Sequence, residues 1–231
     1  MQKENLLVKY FSRYIQKDEP RRTGGPLITI SREYGCFAQE IAESLADALN
    51  RKSDGTHKTK PWNIISKEIL SRSAEELKAK PEQIEHIFVG REMGFFEEVV
   101  GSVIKNYYVK NSTIIKTVKN VIRSYAWEGN VIVIGRASCV IAADIEKSLH
   151  IKLVAPLDYR IKRIAEKYRL SRKDAAVQVN HVDESRKLFM DFFACSKPEM
   201  EFYDIIINRA RFHKENIVGA LYDMAEYRGL V

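Results

Sequence analysis

The sequence predicts a three-layer α/β fold, a parallel sheet with helices on both faces. Three observations predict it. Short continuous apolar runs, "LITI" at 27–30, "VIVIG" at 131–135, "HIKLVAP" at 150–156 and "DIIIN" at 204–208, are too brief for helices and rich in β-branched residues, as strands buried on both faces are. Segments with helical spacing of apolar residues separate them, the alternation that builds a parallel sheet. The first run passes within a few residues into a helix with one apolar stripe, Ile41, Leu45, Ala48 and Leu49, the way an anion-binding strand–turn–helix begins.

Residues 1–19 read as an amphipathic helix with Leu6, Leu7, Tyr10, Phe11 and Tyr14 on one side, and "DEPRRTGGP" reads as a linker. Residues 1–22 are thereby set apart from a domain at 23–231. After the first strand and helix, "RKSDGTHKTKP" is a polar loop and "WNIIS" a short fifth strand. Residues 67–129 are helical in pattern, an insertion in which Pro81 opens a second helix. Asn111 or Ser112 caps the long run that Gly129 and Asn130 end. A basic helical stretch, "DYRIKRIAEKYRLSRKDAAVQ", follows the "HIKLVAP" strand.

At 231 residues the chain suits one α/β domain, with or without a small lid. Apolar residues at 45% and charged residues at 30% mark it as globular. No apolar run approaches the about 18 residues of a membrane span, and the first residues lack the apolar core of a signal peptide. Cys36, Cys139 and Cys195, odd in number and scattered, favour a reducing, cytoplasmic setting over a disulfide framework. The five histidines lack metal-ligand spacing, so no metal centre is assigned. The net charge of +7 raises nucleic acid as a partner, but the basic residues are not gathered with interleaved aromatics, and a polyphosphate ligand would also draw arginines to the third quarter of the chain.

In an open parallel sheet the ligand lies beyond the carboxyl ends of the strands. "SREYGCFAQ", "SKE", "GRASC" and "PLDYR" should therefore converge there. The first of these departs from the phosphate-binding pattern G-x-x-x-x-G-K-[ST]: Gly35 remains, while Phe37, Ala38 and Glu40 stand about where the second glycine, the lysine and the hydroxyl belong.

"ITISREYG" with the following "EIA", "VIVIGRASCVI", "HIKLVAPLDYRIKRI", "NHVDESRKLF" and "YDIIINRARF", in that order, resemble the cytidylate kinase-like family, whose first segment reads ISREFGSGGxEIA and lacks the loop lysine. The resemblance spans residue 27 to about 225 and leaves out the amino-terminal helix. It implies a P-loop NTPase or nucleoside monophosphate kinase-like fold, strand order 2-3-1-4-5, a lid near 160–195, and transfer of a phosphoryl group from ATP to a nucleoside monophosphate such as CMP, with Mg²⁺. Alternatives are a nucleotide-binding or regulatory protein of this fold without turnover, and a kinase of a different small substrate. A homo-oligomer formed through the amino-terminal helix is a further expectation.

The expected roles follow. Arg32 supplies the cation that the loop lacks and contacts phosphate. Gly35 gives the loop its backbone freedom, and Cys36, Phe37, Ala38, Gln39 and Glu40 frame the donor phosphates through main-chain N–H groups, although Phe37, where the family has glycine, needs a permissive backbone angle. Glu33 and Glu40 are the carboxylates nearest a hydrated Mg²⁺, whose ligands stay unassigned. Arg136 contacts the acceptor phosphate, with Asp183 orienting Arg186. Arg160, Arg163 and Arg186, with Arg169 and Arg172, form a basic lid over the transferring group, where charge spreads in the transition state.

Overall fold

The computed structural model describes residues 24–53, 60–66, 68–78, 111–194 and 197–231. The expected amino-terminal helix, most of the polar loop, the helix opened by Pro81 and Cys195 lie outside them. In chain order the elements are β1 (Leu27–Arg32), α1 (Ala38–Ser53), β2 (Asn63–Ile65), α2 (Glu68–Leu77), α3 (Asn111–Glu128), β3 (Val131–Ile134), α4 (Ser138–Ile141), β4 (Ser148–Val154), α5 (Leu157–Tyr168), α6 (Arg172–Ala194), a 3₁₀ turn (Glu199–Phe202), β5 (Ile205–Asn208) and α7 (Lys214–Tyr227).

The five strands are parallel in the order β2-β3-β1-β4-β5, the order that the resemblance implies. β1 is central and pairs Ile30 with Ile134 on one side and with Ile151 on the other. Alternate residues of β1 and β3 fill two cores. Leu27, Val131 and Val133 pack with α2, α3 and α6. Ile28, Ile30, Ile132, Ile134, Leu149, Ile151 and Leu153 pack with Ile41, Ala42, Leu45, Ala46 and Leu49 of α1 and with Ile217, Leu221 and Ala225 of α7. β1 and β3 thus have the double burial that continuous apolar strands require, whereas the run "DIIIN" does not: β5 is an edge strand and its Ile206 is exposed.

β1 stays paired two residues beyond its apolar run: Ser31 lies opposite Lys152 and Arg32 opposite Leu153. Its last two residues are only half-buried, so the strand leaves the core as it reaches its carboxyl end. α5 and α6 form a helical hairpin at that same end. Their shared small core, Ile161, Ile164, Ala175 and Val179, packs against Tyr34 and Phe37 of the loop after β1. The hairpin is thus fastened to that loop by apolar contact as well as by charge.

Candidate functional site

The loop from β1 to α1 is held by its neighbours on α5 and α6. Glu33 extends the sheet by one bond, its N–H donating to the Leu153 carbonyl at 3.0 Å. Its side chain accepts from the Ala155 N–H at 2.8 Å and meets Arg160 Nε at 3.3 Å. Gly35, at φ +94°, lies so close to α5 that a Cβ there would stand 2.9 Å from the Arg160 carbonyl. No other residue fits that approach. Cys36 is fully buried, and burial first, with Glu33 nearby, pushes its thiol up to about 12, so it acts as a protonated core residue.

Phe37 takes a left-handed angle, φ +49°, which costs a non-glycine residue about 1 kcal/mol. The angle turns its ring onto the hairpin: the Arg163 guanidinium stands 4.3 Å and Lys167 Nζ 4.1 Å from the ring centroid. Arg163 also meets Glu40 at 3.5 Å, while its Nη1 is buried with no hydrogen-bond acceptor among the described residues. Ala38 is buried, and Gln39 is exposed and bonded to Glu43 at 3.0 Å. The N–H groups of Ala38 and Gln39 open α1 ahead of any intrahelical acceptor and carry the positive end of its dipole.

Asp183 on α6 ties loop and hairpin together. Its Oδ1 accepts the Tyr34 N–H at 2.7 Å, its Oδ2 accepts Arg160 Nη1, and Arg186 lies 3.8 Å away. Arg160 is buried and also donates to the carbonyls of Ala155 at 3.0 Å and Tyr34 at 3.3 Å. The expected lid arginines therefore part company. Arg160 is committed to an internal network, Arg163 to Phe37 and Glu40, and Arg169 and Arg172 are exposed, the latter paired with Asp158 at 2.6 Å.

Arg186 turns the other way. Its Nη1 donates to the Arg32 carbonyl at 3.2 Å and its guanidinium lies 5.3 Å from the Tyr34 ring. Arg32 runs sideways to β3, where its Nη1 lies 2.0 Å from the place a Cβ of Gly135 would take. Burial first, then the like charges of Arg186 and Arg136, hold the Arg32 guanidinium down to about 9, with Asp183 opposing them. Arg186 is lowered as well, chiefly by burial. Gly135, Arg136 and Ala137 are all left-handed, at φ +72°, +57° and +52°. That run carries the Arg136 side chain to within 5.9 Å of the Phe189 ring. Beside it the Ser138 hydroxyl is buried with no hydrogen-bond partner among the described residues.

Sequence reasoning had singled out Arg32, Arg136, Asp183 and Arg186, and these four meet at the carboxyl ends of β1 and β3. It placed Gly135 and Tyr34 only within the stretches "GRASC" and "SREYGCFAQ", without a role of their own, and did not single out Lys167. A glycine directly after a buried strand and before an arginine was the available signal for the first. Among the described residues no three His, Cys, Asp or Glu side chains stand together as a metal site. Glu33 is engaged by Ala155 and Arg160. Glu40, in the first turn of α1, meets Arg163 at 3.5 Å.

The model of the cytidylate kinase-like family matches residues 27–211. The chain belongs to the cytidylate kinase-like family. Among solved structures it is similar to an uncharacterized protein from Eubacterium ventriosum, with 21% identity, a TM-score of 0.61, and 87% of this chain and 98% of that one covered. A shikimate kinase from Bacteroides thetaiotaomicron matches at 14% identity and a TM-score of 0.47, over 87% and 98% of the two chains. A gluconokinase from Sinorhizobium meliloti matches at 10% and 0.44, over 90% and 97%. Nothing matched among curated proteins. Family and sheet order together make this cytidylate kinase-like chain a member of the P-loop kinase fold class.

Proposed function

We propose that this chain transfers the terminal phosphoryl group of ATP to a nucleoside monophosphate of the CMP kind. The observation that supports this best is the fastening of the α5–α6 hairpin to the loop after β1 through Asp183, which brings Arg160 and Arg186 of the hairpin against that loop. A hairpin held over the loop can position a phosphoryl group and neutralise its charge, which is most of the catalysis of this reaction.

In the proposed step an acceptor phosphate oxygen attacks the γ-phosphorus of ATP, the bond to the β–γ bridging oxygen breaks, and ADP leaves with the electron pair. The acceptor oxygen is already ionised at neutral pH, so no side chain has to remove a proton. This suits a site whose carboxylates, Glu33 and Asp183, are both engaged by arginines. The N–H groups of Ala38 and Gln39, with Arg163 and Lys167, would hold the donor phosphates, and Arg136 the acceptor. Mg²⁺, met by Glu40, would neutralise charge on the donor oxygens when bound. Arg160 and Asp183 act here as positioning residues. A cytoplasmic setting accords with buried, free Cys36 and Cys139.

One observation favours a second reading, nucleotide binding without turnover: the Phe37 ring occupies the two cations that the donor would need. Release of ADP from ATP, followed with Mg²⁺ and each of CMP, dCMP, UMP, shikimate and gluconate, separates the readings. Turnover with a nucleotide supports the first. A melting temperature raised by ATP and CMP with no ADP released supports the second. ADP release with only a non-nucleotide acceptor assigns the chain a different substrate.

A further inference from the structure

Arg32 was expected to stand in for the loop lysine on the donor side, but its guanidinium lies against β3. Gly135 makes that position available, because any side chain there would occupy the space of Nη1. Arg186 is fixed to the Arg32 carbonyl and Arg136 follows Gly135 directly, so three guanidinium groups come to the gap between the carboxyl ends of β1 and β3. A guanidinium stays protonated at neutral pH, and gathering three in a half-buried place is unfavourable unless an anion joins them. Asp183, whose charge acts on Arg32, is engaged by Tyr34 and Arg160. Among the described residues Arg32 itself makes no ion pair.

We propose that Arg32, with Arg136 and Arg186, forms a seat for one phosphomonoester dianion between the ends of β1 and β3, and so belongs to the acceptor rather than the donor. This rests on the phosphoryl-transfer reading above and gives its acceptor a terminal phosphate. A tetrahedral dianion offers three oxygens to three planar forks, each able to take two oxygens, which a carboxylate cannot match. The left-handed angles of Arg136 and Ala137 have a reason on this view: they aim Arg136 at the seat, at a cost that the bound anion offsets.

The test is calorimetric titration and thermal shift on the full chain with inorganic phosphate, CMP and cytidine, for wild type, Arg32→Met and Arg32→Lys. Phosphate and CMP are expected to bind and raise the melting temperature of wild type, and cytidine to do neither. Arg32→Met should weaken both by about tenfold to a hundredfold. It should also raise the melting temperature of the unliganded protein by about 2–4 °C, because it relieves like-charge repulsion. A purely structural arginine would lower it. Arg32→Lys, with one ammonium in place of the fork, should bind between the two. Undiminished affinity for phosphate and CMP in Arg32→Met, or in Arg32→Lys should the first fail to fold, overturns the seat. Arg32-dependent phosphate binding without ADP release keeps the seat and removes the kinase reading; ADP release with Arg32-independent binding does the reverse.

Discussion

Asp183 and Tyr34 stand 149 positions apart in the chain, yet the carboxylate of the first accepts the main-chain N–H of the second at 2.7 Å. A side chain of α6 thereby fixes the backbone of the loop after β1, and the same carboxylate holds Arg160 and faces Arg186. The bond joins the two halves of the candidate site, and its removal should be felt in both.

Asp183→Ala leaves the Tyr34 N–H without its acceptor and takes one of its two carboxylates from the buried Arg160 guanidinium, which keeps Glu33. A cost of about 2–3 kcal/mol is expected, read as a lower urea midpoint with unchanged slope. Asp183→Asn keeps an oxygen for Tyr34 but no charge for Arg160, and should recover less than half of the loss. If Asp183→Ala melts like wild type, the carboxylate does not hold the loop.

Gly135→Ala tests the packing of Arg32. The added methyl would sit 2.0 Å from Nη1, and the alanine must also keep φ near +72°. The guanidinium has to leave, and the backbone strain costs about 1–2 kcal/mol. The variant should fold, melt a few degrees lower, and lose phosphate binding as Arg32→Met does. Normal phosphate affinity would mean that the position of Arg32 over Gly135 has no part in binding.

Much of this architecture was legible in the sequence, and the illegible part has a pattern. β1 and β3 announced themselves as continuous apolar runs, because strands buried on both faces tolerate nothing else, whereas the same kind of run in β5 lies at the sheet edge with Ile206 exposed. The ends were less visible: β1 runs on through Ser31 and Arg32, held by pairing to Lys152 and Leu153 rather than by any apolar signal. At the site, arginines could be singled out by type and order, but their partners could not. Arg160 and Arg163 share a helix face at i, i+3 spacing and looked equivalent. Tight packing of Gly35 on Arg160 turns that residue inward to Glu33 and Asp183, whereas Arg163 is left to Phe37. Local spacing carries no record of such contacts, since they depend on how α5 meets a loop more than a hundred residues earlier.

Phe37→Gly should free Arg163 and Lys167. The substitution removes a half-buried ring, at about 1–2 kcal/mol, and relieves about 1 kcal/mol of left-handed strain, so stability should change by about 1 kcal/mol or less. Two ring–cation contacts no longer compete with a polyphosphate, and binding of ATP should tighten by roughly five- to thirtyfold. Unchanged ATP affinity would show that ring and phosphates do not share these cations.

The last prediction concerns the opposite end of β4 and is independent of any ligand. His150 is buried beside β1, with Nδ1 2.8 Å from Thr29 Oγ1 and Nε2 3.2 Å from Ser148 Oγ. Burial lowers its pKa first of all; Arg228 lowers it further, and Asp204 opposes both. The folded chain therefore prefers the neutral ring. Its contribution to stability is complete above the unfolded value of about 6.5 and is lost as pH falls from there toward the lower folded value, with a slope of at most about 1.4 kcal/mol per pH unit. The lowered carboxylate of Asp144, bonded to Arg123, titrates in a lower window and leaves this slope unaffected. Urea unfolding at pH 7.5 and 5.5 should show wild type weaker at the lower pH, and His150→Asn should show a much smaller difference. An equal difference in the two proteins would place the proton uptake elsewhere.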